Sequence, residues 1–224
     1  MKRKKNILFI IFFLSLVNIC ASQKAFNKIV HKYYRYFPYG LPFGDFVSNL
    51  MKDPTLTNKI VQKRTDSTLF FFKGDYTTHK PFSFEATRTE VRLAESEIQL
   101  TDSATKKDTL FIYQISGYSN TSENKGMTAQ KEFIQFDRKY GRDFGESTVK
   151  NLWEKEQIVG TVRNYFLPSV GISPITVAWL NLTDHESVFS ITLRLIKVEN
   201  TVMMPTIYVP GKAGNAVSTD PDEN

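Results

Sequence analysis

The first part of the chain carries apolar side chains at spacings of three and four residues, which places them on one face of a helix. One run leads into a link rich in proline and glycine, and a second run ends before Asp53-Pro54. This pattern predicts two short helices, over residues 24–37 and 43–51. Their apolar positions are Phe26, Ile29, Val30, Tyr33 and Phe37 in the first, and Phe43, Phe46, Val47, Leu50 and Met51 in the second.

From Thr57 onward apolar and polar positions alternate, as in a strand. The alternation changes phase between Val91 and Leu93 on odd positions and Ile98 and Leu100 on even ones. A bulge near Ala94–Ser96 is therefore predicted, because a slip of one residue would otherwise turn the apolar side chains outward. The strands predicted in this half lie at 58–64, at Leu69–Phe72, through Phe82, Phe84 and Ala86 to Val91 and Leu93, and at Leu110–Ile115.

The middle of the chain returns to helical spacing. Phe133, Phe136 and Tyr140 predict a helix that ends at Gly141. Ser147 is placed to cap a further helix, with Val149, Leu152 and Trp153 on one face. Strands are predicted again at 158–167, 175–182, 188–198 and 202–208, with Thr183-Asp184-His185-Glu186 as a four-residue hairpin loop between the second and the third of these.

These elements predict an α+β fold, in which N-terminal and central helices pack on a mostly antiparallel, twisted sheet. We expect one domain over residues 23–209, followed by a disordered tail over 210–224, where glycine, proline and acidic residues dominate. The segment Thr68–Phe72 resembles Thr109–Tyr113, but any two core strands would look alike, so this similarity is weak support for an internal duplication.

Residues 1–22 have the pattern of a secretory signal peptide. Four basic residues, Lys2 to Lys5, precede the apolar run Ile7–Val17, and small residues end the segment, so cleavage is predicted after Ser22. The apolar run is shorter than the roughly 20 residues of a membrane-spanning helix, and no transmembrane span is expected after cleavage. An uncleaved anchor is one alternative, and lipidation of Cys20 is another, although Asn18 and Ile19 fit that pattern poorly.

Removal of this leader changes the charge and the cysteine content. The chain has 29 basic and 23 acidic residues, and the leader holds four of the basic ones, so the mature chain keeps 25 against 23. That near-balance argues against nucleic-acid binding, which depends on many neutralised phosphates. Cys20 is the single cysteine, so the mature chain is cysteine-free, which excludes disulfide-stapled folds and thiol catalysis. The composition suggests a bacterial protein located in the periplasm, in the cell envelope or outside the cell.

The sequence contains few residues in patterns typical of catalytic sites. Ser103–Lys106 and Ser147–Lys150 have the Ser-x-x-Lys spacing of penicillin-recognising enzymes, but without the other motifs of that fold. Asp184-His185-Glu186 is interpreted as a solvated hairpin tip. No metal site and no cofactor are predicted. Four carboxylates that could serve glycoside chemistry are expected to be exposed strand residues: Glu85, Glu90, Glu95 and Glu97.

The segment from Tyr33 to Phe46 is unusually aromatic, and tyrosines in a dry core need a partner for each hydroxyl. We therefore predict ligand binding by Tyr34, Tyr36 and Tyr39, with the alternative that these rings simply pack helices onto the sheet. The resulting hypothesis is an exported, non-catalytic binding module of the cell envelope or the exterior, with a protein or a glycan as ligand. An envelope hydrolase that uses unidentified carboxylates and a purely structural envelope component are the alternatives.

Overall fold

A computed structural model describes residues 24–36, 38, 41–63, 65, 70–95, 109–120, 127–144, 147–167 and 172–197. Within these residues the helices are α1 (24–33), α2 (Phe43–Lys52) and α3 (Met127–Tyr140), and a 3-10 turn at Gly141–Asp143 follows α3. The strands are β1 (Leu56–Lys63), β2 (Phe70–Tyr76), β3 (Arg88–Glu95), β4 (Thr109–Asn120), β5 (Ser147–Glu154), β6 (Gln157–Leu167), β7 (Ile172–Thr183) and β8 (Glu186–Lys197).

The eight strands form one antiparallel sheet in the order β1-β2-β3-β4-β8-β7-β6-β5. This arrangement confirms the predicted α+β class with a largely antiparallel sheet. The order is symmetric about the central β4–β8 pair, and each half is a four-stranded meander that follows a helix. The sequence similarity noted above compares β2 with β4 of the same half, so it does not correspond to this symmetry.

All three helices contribute to a core on one face of the sheet. Successive side chains of a strand point to opposite faces, so the buried odd positions of β3, β4, β7 and β8 lie on the same face. Tyr33 of α1 packs against Phe136 of α3, and Phe46 of α2 packs against Tyr113 of β4. The buried apolar side chains that β3, β4, β7 and β8 place on this face are Val91, Leu93, Phe111, Tyr113, Ile115, Ile175, Val177, Trp179, Phe189, Ile191, Leu193 and Leu195.

The prediction of a helix that begins at Ser147 is wrong, because Ser147–Glu154 forms the edge strand β5. This strand pairs with β6 from Ser147↔Tyr165 to Glu154↔Gln157, and the turn between them places Lys155 and Glu156 at φ of 46° and 65°. A two-residue turn in this left-handed region matches the twist of a hairpin. Because residues three apart on a strand point to opposite faces, the Ser-x-x-Lys pair at Ser147 cannot operate as it would on a helix.

The strand predicted through Phe82, Phe84 and Ala86 is also wrong. These residues form an irregular segment, and β3 begins only at Arg88. Phe82 and Phe84 stack with ring centroids 5.3 Å apart, and a Cβ built on Gly117 would lie 2.4 Å from the Phe82 ring. The irregular segment thus covers β4 at Gly117, where the glycine has no side chain to prevent the contact. The alternation of apolar and polar residues does not reveal such a contact.

The remaining boundaries agree in large part with the sequence predictions. The β7–β8 hairpin pairs Thr183 with Glu186, so its turn has two residues rather than four. The bulge predicted near Ala94–Ser96 is absent at Ala94 and Glu95, which keep a regular register with β4, and Ser96 lies outside the described residues. The predicted leader 1–22, the strand expected at 202–208 and the predicted tail 210–224 also lie outside them. No helix in the described part of the chain is long and apolar enough to cross a membrane.

Candidate functional site

Tyr34, the first of the tyrosines predicted to bind a ligand, faces the core, with 4% of its surface exposed. Its hydroxyl donates to the backbone carbonyl of Ile191 at 2.8 Å and lies 3.3 Å from that of Tyr113. The two tyrosine rings are 4.5 Å apart. Tyr34 therefore connects the end of α1 to the two central strands, and it does not have the solvent exposure that ligand contact requires.

Tyr36 is partly buried, and its hydroxyl donates to Asp53 Oδ2 at 2.8 Å. Asp53 also accepts from the backbone N–H and the hydroxyl of Thr55, at 2.8 and 2.7 Å. Burial and the hydrogen bond to Asp53 raise the pKa of Tyr36. Burial of Asp53 opposes its ionisation, but the bonds from Thr55 and Tyr36 outweigh that effect and lower its pKa. Tyr39 lies outside the described residues, so the three tyrosines are not brought together as one described surface.

A second buried carboxylate that the sequence analysis missed, Glu132 on α3, connects three elements of the helical layer. It accepts hydrogen bonds from the hydroxyl of Tyr33 at 3.1 Å and from the backbone N–H of Ser83 at 3.2 Å, and it also accepts from the Ser83 hydroxyl. Lys32 Nζ lies 3.5 Å from it. These contacts join α1, α3 and the irregular segment, so we assign Glu132 a structural role.

The face of the sheet opposite this core has a different composition. One register row crosses seven strands, from β2 to β5, and every residue in it is polar. We call this set the polar row. In spatial order it consists of Lys73, Arg92, Gln114, Thr192, Thr176, Asn164 and Thr148.

Hydrogen bonds run along the polar row. Thr176 donates to Asn164 Oδ1 at 2.7 Å, and Asn164 Nδ2 donates to Thr148 at 3.4 Å. Arg194, from the same face, donates to Thr176 at 2.6 Å, and Gln114 donates to Ser116 in the adjacent row at 2.9 Å. Gln114, Thr192, Thr176 and Asn164 are half-buried. The central members of the polar row are therefore uncharged, with the Arg194 guanidinium beside them, and their hydroxyl and amide groups can each donate or accept.

The β2–β3 end of the polar row is charged. Glu90, in the next row, lies 3.0 Å from Lys73 Nζ and 3.4 Å from Arg88 Nη1, and it pairs with Arg92 Nε. Tyr118 donates to Glu90 at 3.3 Å, and the Arg88 guanidinium stacks 3.8 Å above the Tyr118 ring centre. We call these five residues the Glu90 cluster.

The electrostatics of the Glu90 cluster favour an ionised carboxylate. Burial by itself would raise the pKa of Glu90, but the hydrogen bonds and charges of Lys73 and Arg92 outweigh burial, and the pKa is lowered. The expectation that Glu90 is an exposed strand residue is wrong, since its side chain is buried beneath three cations. The alternation of opposite charges at Arg88, Glu90 and Arg92 was a signal that could have identified the cluster.

The other candidates from the sequence lie apart from this site. Glu85 is exposed in the irregular segment, Glu95 accepts from the backbone N–H of Phe70 at 3.0 Å, and Glu97 lies outside the described residues. Asp184 and His185 are exposed at the β7–β8 turn. Across the residues that the structure describes, no group of three or more His, Cys, Asp or Glu side chains is arranged to hold a metal ion.

Comparison with known proteins adds no relative. No protein-family model, no curated protein and no solved structure gives a significant match to this chain.

Proposed function

We propose that this protein is an exported, non-catalytic binding module of the cell envelope or the exterior, and that it binds a glycan on the polar row. The observation that carries the proposal is the unbroken register of polar side chains across seven strands. An antiparallel sheet commonly exposes one polar face to water. Here, however, the central side chains are half-buried, Thr176 is hydrogen-bonded to Asn164 and Arg194, and Gln114 to Ser116, so these positions are set before a ligand arrives.

A glycan suits this surface better than a protein does. Sugar hydroxyls need partners that both donate and accept, and threonine, asparagine and glutamine side chains provide both. Protein interfaces instead have apolar and aromatic centres, which the row from Gln114 to Thr148 lacks. Side chains held on strands are also positioned more precisely than those on loops, which reduces the entropy lost on binding.

The hydrolase hypothesis has less support. A general acid must keep its proton at the working pH, and the lowered pKa of Glu90 makes it poorly suited to that role. Its three cationic neighbours also occupy the carboxylate oxygens that a nucleophile would need. A purely structural component would not require a hydrogen-bonded polar row on the face opposite the core. The binding test below distinguishes this alternative from glycan binding.

The test uses the mature chain on an array of bacterial envelope and plant-wall glycans, followed by calorimetry with the glycans it retains. Thr176→Val together with Thr192→Val keeps side-chain shape and removes two hydroxyls from the polar row. Each hydrogen bond contributes about 1 kcal/mol, so the affinity should fall by at least about tenfold. Thr77→Val is the matched control, because Thr77 is exposed and its hydroxyl donates to the backbone of Thr55, away from the row.

Glycan retention that the double variant loses and the control keeps would support the proposal. If no glycan binds, or if the double variant binds as the unmodified protein does, the proposal is wrong. Enrichment of a protein in place of a glycan would favour the protein alternative. Export is tested separately: N-terminal sequencing of the protein from its native source should begin at Gln23, and a chain that retains Met1 or begins at a lipidated Cys20 would contradict cleavage after Ser22.

A further inference from the structure

We propose that the Glu90 cluster is an anion-binding subsite that receives the carboxylate of an acidic glycan, such as one that contains uronic acid. This inference rests on the proposed function and names the ligand class for the same surface. Lys73 and Arg92 belong both to the cluster and to the polar row, so a glycan on the row reaches the cations at its β2–β3 end.

The charge count of the cluster is not balanced. Three cations surround Glu90, which leaves an excess of two positive charges. Asp75 is paired with Glu90 in the strand register and accepts from Asn58 at 2.9 Å; including it, the excess is one. A purely structural ion pair needs one cation for each carboxylate, so the excess positive charge is available to compensate the charge of a ligand.

The cations are accessible, whereas Glu90 is not. The exposed fractions of the side chains are 34% for Lys73, 39% for Arg88 and 51% for Arg92, against none for Glu90. A ligand therefore meets the positive groups first, and Glu90 lies behind them. Partial exposure also keeps the cations hydrated before binding, which lowers the cost of holding them close together.

Guanidinium N–H groups of Arg92 and Arg88 remain available to donate hydrogen bonds to a carboxylate ligand. Arg92 uses its Nε for Glu90, and none of its terminal amino groups has a partner among the described residues. Arg88 is held in place by stacking on Tyr118 and uses Nη1 for Glu90. A planar carboxylate accepts two parallel hydrogen bonds from one guanidinium, so these arginines favour carboxylate over an uncharged sugar group. Glu90 holds the three cations in position and does not contact the ligand.

The experiment compares three probes by calorimetry: an oligosaccharide of glucuronic acid, the neutral glucose oligosaccharide of the same length and linkage, and a poly-glutamate peptide. The acidic oligosaccharide should bind at least about tenfold more tightly than the neutral one, and added salt should reduce this preference. Arg92→Gln and Arg88→Gln should each reduce the preference, and Arg92→Lys should restore only part of it, because lysine keeps the charge without the planar fork. Arg138→Gln, on the exposed surface of α3, is the matched control and should change nothing.

A second readout separates failure of this inference from failure of the proposed function. Titration of free glucuronate, followed by NMR of the arginine Nε–Hε groups, should shift the Arg92 signal in the unmodified protein and not that of Arg138. Equal binding of acidic and neutral oligosaccharides, with no Arg92 shift, would overturn the inference and leave glycan binding on the polar row intact. Poly-glutamate that binds as tightly as the acidic oligosaccharide would overturn it in favour of an acidic protein. An Arg92 shift without any oligosaccharide binding would retain the anion subsite and reject the proposed function.

Discussion

At the scale of single residues, buried polar side chains of the helical layer each have a specific structural partner. Tyr34 reaches the backbone of the central strands, Glu132 joins two helices to the irregular segment, and Asp53 receives Tyr36 and Thr55. A buried polar group without a partner costs free energy, so these contacts select one packing of the helices on the sheet. The aromatic N-terminal segment owes much of its tyrosine content to this requirement.

Tyr34→Phe tests the structural role of that residue. Loss of the hydroxyl removes its hydrogen bond to Ile191, and we expect the free energy of unfolding to fall by about 1 kcal/mol. Tyr34→Ala also removes the ring from the core and should cost about 3–5 kcal/mol. Urea denaturation measures both. If Tyr34→Ala left stability unchanged while it weakened ligand binding, the residue would belong to a binding surface after all.

The Glu90 cluster predicts a pH dependence of stability with a defined sign. The pKa of Glu90 is lowered in the folded protein, so its contribution is present above the unfolded-state pKa of about 4.3 and is lost as the pH falls through the lower folded value. Glu90→Gln should therefore be less stable than the unmodified protein at neutral pH, and the difference should shrink below about pH 4. The lowered pKa of Asp53 contributes an acid dependence of the same sign to both proteins.

Urea titrations of the two proteins at a series of pH values measure this difference. A gap that stayed constant from pH 7 to pH 3 would show that the ionisation of Glu90 is not coupled to folding.

At the scale of elements, β5 is a segment whose apolar residues have helical spacing although it forms a strand. Val149, Leu152 and Trp153 have helical spacing behind a potential cap at Ser147, yet pairing with β6 makes the segment a strand. An edge strand buries little, so its apolar side chains do not alternate clearly; Val149 and Trp153 are both exposed. Where burial is weak, hydrophobic spacing carries little information about secondary structure.

The two tryptophans of the chain test the position of β5. Trp153 is 50% exposed on β5, whereas Trp179 is 5% exposed on β7. Trp153→Ala should cost less than about 1 kcal/mol, and Trp179→Ala about 3–5 kcal/mol. In the single-tryptophan variants, acrylamide should quench the fluorescence of Trp153 more strongly than that of Trp179. Equal quenching would mean that β5 is covered in the folded protein.

Replacement of glycine by alanine should have opposite effects on stability at Gly117, where the irregular segment contacts β4, and at Gly44 on α2. A Cβ at Gly117 would meet the Phe82 ring at 2.4 Å, whereas one at Gly44, in α2, has nothing within 4 Å. Gly117→Ala should displace Phe82 and destabilise the protein by about 1–3 kcal/mol. Gly44→Ala should stabilise it by about 0.5 kcal/mol, because alanine loses less backbone freedom on folding. Thermal melts of both variants decide the point, and a neutral Gly117→Ala would indicate that Phe82 does not rest on β4.

At the scale of the whole molecule, the two meanders share one sheet and one core. The β4–β8 pair runs from Thr109↔Lys197 to Asn120↔Glu186, and the core cluster includes residues of all three helices. Neither meander can bury its apolar face without the helices, so separate unfolding of the halves is not expected.

We predict a single thermal transition for the mature chain that is the same with and without a reducing agent. Cooperativity follows from the shared core, and insensitivity to reductant follows from the predicted loss of Cys20 with the predicted leader. Calorimetric and van't Hoff enthalpies should agree. Two separated transitions would show that the meanders fold as independent units, and a shift with reductant would show that Cys20 is retained.

Local pattern by itself determined the elements that bury a regular face: α2, α3 and the strands β6 to β8 follow from spacing because every second or every third to fourth residue enters the core. The same pattern determined the fold class. The strand identity of β5, the irregular path over Gly117 and the burial of Glu90 were decided by tertiary structure alone. Each of them depends on contacts between elements: β5 on its pairing with β6, Gly117 on the Phe82 ring, and Glu90 on Lys73 of β2 together with its neighbours Arg88 and Arg92. Hydrophobic spacing along the chain does not show which residues of different elements meet. The polar row is of the same kind: its members are seven separate polar residues in the sequence, and only strand register places them in one line.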